Sequence, residues 1–131
     1  MTRSPVSPLN KALYARLKSR LTVPICDFVP VGRKAPYVAL TDTQAQDWKT
    51  KTVSGAAVTA TVKVISEYQG DKEVAELSDA AINAVASPVL ALENDWQIVT
   101  VGIDSHSVER FDTHREATIT FRFTIIDTRE G

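Results

Sequence analysis

Between Val53 and Ser87 the chain changes its period once, and few folds tolerate that change. Val58, Ala60, Val62 and Val64 alternate with Thr59, Thr61, Lys63 and Ile65, a repeat of two that gives a strand one apolar and one mostly polar face. Gly70 and Asp71 break the pattern. From Lys72 to Ala86 apolar residues return at about 100° per residue, the helical period. Val74, Leu77, Ala81, Ile82, Ala84 and Val85 gather on one side, with Lys72, Glu76, Asp79 and Asn83 opposite. Asp71 stands where an N-cap carboxylate accepts from first-turn N–H groups, and Glu73 adds negative charge at the positive helix end. Pro88 stops the helix, because the residue before a proline is pushed out of the α region. A strand and a helix that each carry one dry face demand a sheet with a helix laid on it.

The other segments fit around this unit. Pro5 and Pro8 bracket small polar residues, so residues 1–7 are expected to form a flexible arm. Ser7 as N-cap and Pro8 at the first helical position then predict a helix to about Arg20. It docks through an i,i+4 row of Leu9, Leu13, Leu17 and Leu21, with Ala12 beside it and Arg16 and Arg20 flanking. Pro24 and Pro30 bracket a short edge strand, Ile25 to Val29. Gly32 to Pro36 is a loop, Tyr37 to Leu40 a strand, and Thr41 to Ser54 a long polar connection.

Beyond the second helix come a short apolar run, Val89 to Leu92, and a turn at Glu93, Asn94 and Asp95. Trp96 to Ile103 is a strand, with Trp96 and Ile98 on one side and Val99, Val101 and Ile103 on the other. Asp104 to Arg115 is a polar hairpin connection. Ala117, Ile119, Phe121, Phe123 and Ile125 alternate with Thr118, Thr120, Arg122 and Thr124, the pattern of an antiparallel strand with one dry face. Residues 127–131 form a charged tail. The predicted fold is α+β: a mainly antiparallel sheet of four to five strands, two helices packed on one face, and a single domain over residues 1–131. The opposite face carries Thr59, Thr61, Lys63, Thr118, Thr120 and Arg122, which suits water or a polar partner.

Chemistry-bearing residues are sparse. Asp104, His106, Glu109, Asp112 and His114 are all types that ligate metals, yet their spacing matches no established motif, so no metal is expected. The single cysteine, Cys26, excludes an internal disulfide and fits a small apolar position better than a nucleophile. Glu73, Glu76 and Asp79 lie on the polar side of a helix, where solvation explains them. The five glycines are scattered, so no phosphate-cradling loop is present. No catalytic site and no cofactor are expected. No apolar run approaches the roughly 20 residues of a membrane-spanning helix, and a chain of this kind is expected to be made in the cytosol.

A net charge of −1 argues against general nucleic-acid binding. The charge is uneven, however: Arg3, Lys11, Arg16, Lys18 and Arg20 all precede the first acidic residue, Asp27. A solvated helix face is the ordinary explanation, an acidic protein partner the functional one, and a small nucleic-acid-binding module the rival.

Several segments together resemble a known family. They are Ala12-Leu13-Tyr14 with Leu17, PICDFVP from Pro24 to Pro30, Pro36 to Leu40, Asp47 to Thr52, the strand ending near Tyr68, and REATITFRF from Arg115 to Phe123. In this order the chain resembles the short tail-completion, or tail-terminator, proteins of long-tailed phages, which occur also in prophages and gene transfer agents. It departs from them at Ile25-Cys26-Asp27, where many relatives carry Val-Tyr-Asp, and at Glu93-Asn94-Asp95, where they carry a glycine turn.

The resemblance implies a structural virion protein without enzymatic activity. It implies a homo-oligomeric ring, a hexamer, at the head-proximal end of the tail tube, assembled in the bacterial host cytoplasm. Its partners would be the tail tube protein and the head connector or neck protein, with DNA only as passing cargo and no membrane. A different neck or head-completion ring protein is the nearest alternative. A closed ring needs two unlike complementary surfaces on each subunit, and the polar sheet face, the basic first helix and the long connection are candidates. In that connection Trp48 stands between Asp47 and Lys49, the setting of an interface anchor. Trp48, Lys49 and Lys51 are therefore expected to project on a hairpin and pack on a neighbour, and Arg16, Lys18 and Arg20 to meet an acidic partner. The alternative folds Trp48 back over the sheet edge as a satellite of the core.

Overall fold

Two helices and five strands follow in the order α1 (Val6–Arg20), β1 (Ile25–Cys26), β2 (Tyr37–Lys49), β3 (Ser54–Ser66), α2 (Lys72–Ala86), β4 (Trp96–Arg110) and β5 (Arg115–Asp127). This computed structural model describes residues 4–26, 35–49, 54–68 and 70–128, the side chains of Asp47, Trp48, Lys49 and Ser54 excepted. The strands form one sheet in the order β1-β2-β3-β5-β4. β1 runs parallel to β2, and every other pairing is antiparallel. The fold is α+β with a mostly antiparallel sheet, as the periodicities predict.

The core lies between the sheet and the helices. Ala56, Val58, Ala60, Val62 and Val64 of β3 and Ala117, Ile119, Phe121, Phe123 and Ile125 of β5 all turn to the helix side and are buried. Leu9, Leu13 and Leu17 of α1 are wholly buried against them, as the i,i+4 row requires. From α2 come Val74, Ala81, Ala84 and Val85, while Leu77 and Ile82 pack half-buried on the same cluster. Pairings Thr59 with Arg122, Thr61 with Thr120 and Lys63 with Thr118 place the polar residues together on the opposite face.

Local differences from the sequence reading have physical causes. α1 begins at Val6 rather than Pro8, and the Val6 N–H donates to Ser4 Oγ at 3.3 Å. The first four helical N–H groups lack intrahelical acceptors, so a proline is harmless anywhere in the first turn and cannot mark its start. Asp71 occupies the N-cap position of α2 but makes no capping bond. Its carboxylate accepts instead from two arginines, described below. Ser87 is extended (φ −150°, ψ 135°), which ends α2 as its following proline demands.

The connections predicted over Thr41–Ser54 and Asp104–Arg115 are mostly strand. β2 continues to Lys49, paired with Ser54, and β4 continues to Arg110, paired with Arg115. Backbone ladders need no apolar alternation, so polar residues extend a strand wherever the neighbour supplies N–H and C=O groups. Val99 corrects a second expectation. A bulge between Ile98 and Thr100 adds one residue, so Ile98 pairs with Ile125 and Val101 with Phe123. Trp96, Ile98, Val101 and Ile103 therefore share the helix side, where strict alternation would have split them.

Candidate assembly interface

Among the described residues, β4 and most of β2 have an outer edge without a strand partner. β4 is the terminal strand on one side, and no described strand lies beyond it. It packs on β5; α2 sits mainly on β3 and β5 and α1 on β1 and β2, and within β4 only Trp96 and Ile98 are buried in the core. On the uncovered part of its helix-side face Ile103 is 49% exposed, and Val101 and Val108 are half-buried. Val99, the bulge residue, is 53% exposed. A long exposed edge with apolar side chains is a pairing template unless something occupies it.

The opposite edge is β2. β1 covers it only at Val38 and Ala39, so among the described residues the outer edge from Leu40 to Lys49 has no strand partner. Beside it, between β2 and the first turns of α1, runs a groove of about 590 Å³ lined by Val6, Asn10, Lys11, Tyr14, Leu40 and Thr43 among others. The Thr43 hydroxyl donates to Asn10 Oδ1 at 2.7 Å and ties the strand to the helix across the groove floor. A bulge between Leu40 and Asp42 bends β2 there.

The pairings also set relative heights across the sheet. Leu40 is level with Val62, Ile119 and His106, and Thr43 with Ala60, Phe121 and Ile103. The groove and the exposed Ile103 thus stand at the same height on opposite edges. At that height both edge strands are bulged, β4 between Ile103 and Ser105, whereas the β3–β5 pairing between them is regular.

Charge is arranged at the ends and on the polar face. The Asp71 carboxylate accepts from Arg110 Nε and Nη2, the shortest contact 2.6 Å, and from Arg115 Nε at 3.2 Å. Arg115 also donates to the Phe111 carbonyl, so the tip of the β4–β5 hairpin is tied to the start of α2. The bonds from Arg110 above all hold the Asp71 carboxyl below its ordinary value, and the same contact raises the Arg110 guanidinium. Next to this tip Phe111 stacks on His114 at 4.6 Å between ring centres. On the polar sheet face Lys63 pairs with Glu116 at 3.4 Å and Arg122 with Asp104 at 3.0 Å. Tyr37 titrates above its usual range, first because it is buried and then because Cys26, Glu116 and Glu67 oppose its ionisation.

The residues singled out in the sequence have different settings. Arg16 donates through Nη1 to the carbonyls of Ala84, at 2.9 Å, and Pro88, at 2.7 Å, where α2 ends. It joins the two helices, so its guanidinium already serves the fold. Lys18 and Arg20 are exposed, with the Lys18 ammonium 5.7 Å from the centre of the Tyr14 ring. Trp48 pairs with Gly55 and Lys49 with Ser54 near the end of the β2–β3 hairpin. The side chains of both, and Lys51 altogether, lie outside the described residues. Among the described residues no three of His, Cys, Asp and Glu are grouped to hold a metal ion, and His106 and His114 sit on the β4 strand and in the hairpin turn. Cys26 is half-buried in β1.

Neither edge was flagged by residue type. The signal that could have found them is the pair Val99 and Ile103, apolar residues in a strand that leads into a polar hairpin.

Comparison with known proteins adds an independent line. A family model described as Tail completion protein gp17 matches residues 11–126. No curated protein matches the sequence. Among solved structures, a chain from the virion of a native gene transfer agent (GTA) particle superposes with a TM-score of 0.80 at 22% identity, over 95% of this chain and 99% of that one.

Proposed function

The chain belongs to the tail completion protein gp17 family, and from that membership we propose that it is a structural protein of a phage-type tail. It closes into a ring, a hexamer, at the head-proximal end of the tail tube. There it ends tube polymerisation, presents a surface to the head connector or neck protein, and lets DNA pass. It acts by assembly and not by turnover. The likeness to a chain of a gene transfer agent virion supports a place in such a particle.

The observation that carries this reading is the inequality of the two sheet edges. A closed ring joins unlike surfaces head to tail, and the outer edges of β4 and of β2 from Leu40 onward are unlike, lie on opposite sides of the sheet and have no strand partner among the described residues. Their directions also fit. Across β2, β3, β5 and β4 the strands alternate, so β4 runs opposite to β2 and can meet the β2 of a next copy antiparallel. Trp48, Lys49 and Lys51, at and beyond the end of the β2–β3 hairpin, belong to a contact with a neighbouring subunit or the tube. Lys18 and Arg20 meet an acidic protein surface.

Deleting the protein from a particle-producing host tests the proposal. Tails of uncontrolled length that fail to join heads are expected in electron micrographs, and light scattering of purified protein with tail tubes should give a ring mass. Tails of normal length that still join heads would overturn it.

A further inference from the structure

Resting on the ring reading, we infer that the seam between subunits is β4 of one copy laid antiparallel on β2 of the next, with Ile103 seated in the groove between β2 and α1. Four observations meet here. First, both surfaces lie on the helix side of the sheet: Ile103 shares the face of Phe121, and the groove is roofed by α1. Second, they stand at one height, since Ile103 and Thr43 are joined through Phe121 and Ala60. A ring whose subunits stand level brings Ile103 to the groove without a shift in register.

Third, among the described residues the lengths without a strand partner match. The covered positions Val38 and Ala39 are level with Val108 and Ser107, so the described residues of β1 lie only on the part of the β2 edge opposite the end of β4. The remainder, Leu40 to Trp48, is level with the stretch from His106 back to Gln97. Fourth, each edge is bulged at that height. A bulge bends a strand and increases its twist, which limits indiscriminate edge pairing and leaves a partner edge bent at the same height as the one that fits.

The occupant is a second copy and not another protein because the complementary parts are both on this chain. Apolar Ile103 is exposed on one edge beside half-buried Val101, and the apolar side of a groove formed by Val6, Tyr14 and Leu40 is open on the other. A two-fold pairing of β4 with β4 would leave the groove and the β2 edge uncovered.

Cysteine pairs test the seam. In a Cys26→Ser background, Ser105→Cys is combined with Asp42→Cys or with Gln44→Cys. All three positions are exposed, and Asp42 is level with Ser105 through Thr61 and Thr120. Mild oxidation of the assembled protein with tail tubes should give a ladder of covalent oligomers from at least one pair, and none from any single variant. Ile103→Arg should lower ring formation at least tenfold with the subunit's thermal midpoint unchanged, and Ile103→Val should preserve it. A ring mass with no cross-link from either pair would overturn the seam and leave the ring standing. Dimers from Ser105→Cys alone would replace it with a two-fold contact. Failure of the unmodified protein to form rings on tail tubes would remove the ring reading and the seam with it.

Discussion

Ser78 offers a sharp test of the packing beneath α2. Its hydroxyl is fully buried and has no hydrogen-bond partner among the described residues, on a helix face otherwise made of Val74, Ala81, Ala84 and Val85. A buried polar group left unpaired costs about 1–3 kcal/mol. Serine in a helix interior is also less favourable than alanine by up to about 0.7 kcal/mol. Against this, the space left by one oxygen costs roughly a few tenths of a kcal/mol at about 24 cal/mol per Å³. Ser78→Ala should therefore stabilise the subunit by about 1–3 kcal/mol. For a chain of this length that is a rise in melting temperature of roughly 3–5 °C per kcal/mol. Urea denaturation followed by circular dichroism measures it, and an unchanged slope with a higher midpoint is the expected form. A loss of stability would refute the reasoning, because it would mean that the hydroxyl donates to a carbonyl such as that of Val74, one turn earlier.

Other outcomes follow from the same structure. Phe121 is 1% exposed and lies 6.4 Å from the Phe123 ring, so Phe121→Ala should cost about 3–5 kcal/mol, and an unchanged denaturation midpoint would contradict its place in the core. Arg16→Ala should cost about 1.5–3 kcal/mol by leaving two carbonyls of the α2 end without their charged donor, and Arg16→Lys should restore only part, since an ammonium lacks the fork; full stability in the alanine variant would show the contact to be incidental. Asp71 titrates below its ordinary value in the folded chain. Its contribution is therefore complete above the unfolded carboxyl value of about 3.9 and is lost as pH falls through the lower folded value. Asp71→Asn should lower stability slightly at neutral pH and flatten the acid limb of the stability curve, and an acid limb of undiminished slope would exclude the contact with Arg110.

How much the sequence disclosed depended on what each residue had to bury. β3, β5, both helices and the leucine row were legible because burial on one face imposes a period, as at Val62, Val64, Phe121 and Phe123. The far halves of β2 and β4 were not, because polar edge residues such as Gln44, Ser105 and Ser107 obey the ladder alone. Val99 hid the phase of β4, since a bulge shifts alternation by one residue without a composition signal. Asp71 was correctly placed at the helix start but its partners were not, because Arg110 and Arg115 reach it from a hairpin far along the chain. The carbonyl partners of Arg16 were hidden for a similar reason: charge clustering says nothing about a carbonyl from another helix that needs a donor. The family resemblance supplied the proposed function, and the edges that lack a strand partner among the described residues came only from the pairing register.

The strand order also bears on how the molecule is made. β2 and β3 can close as a local hairpin, and so can β4 and β5, each on a scale of about 1–10 μs. The seam between β3 and β5 is different: Gly55 meets Ile126 and Ser66 meets Arg115, with α2 and β4 lying between them in the chain. Such distant pairings are slow because loop closure precedes any gain from contact. The fifth strand in chain order is thus an interior strand of the sheet, flanked by β3 and β4. During synthesis the first hairpin and α2 wait with their apolar faces open until β5 arrives with Phe121 and Phe123. A chain truncated before β5 lacks Ala117, Ile119, Phe121, Phe123 and Ile125, and with them the strand that joins β3 to β4.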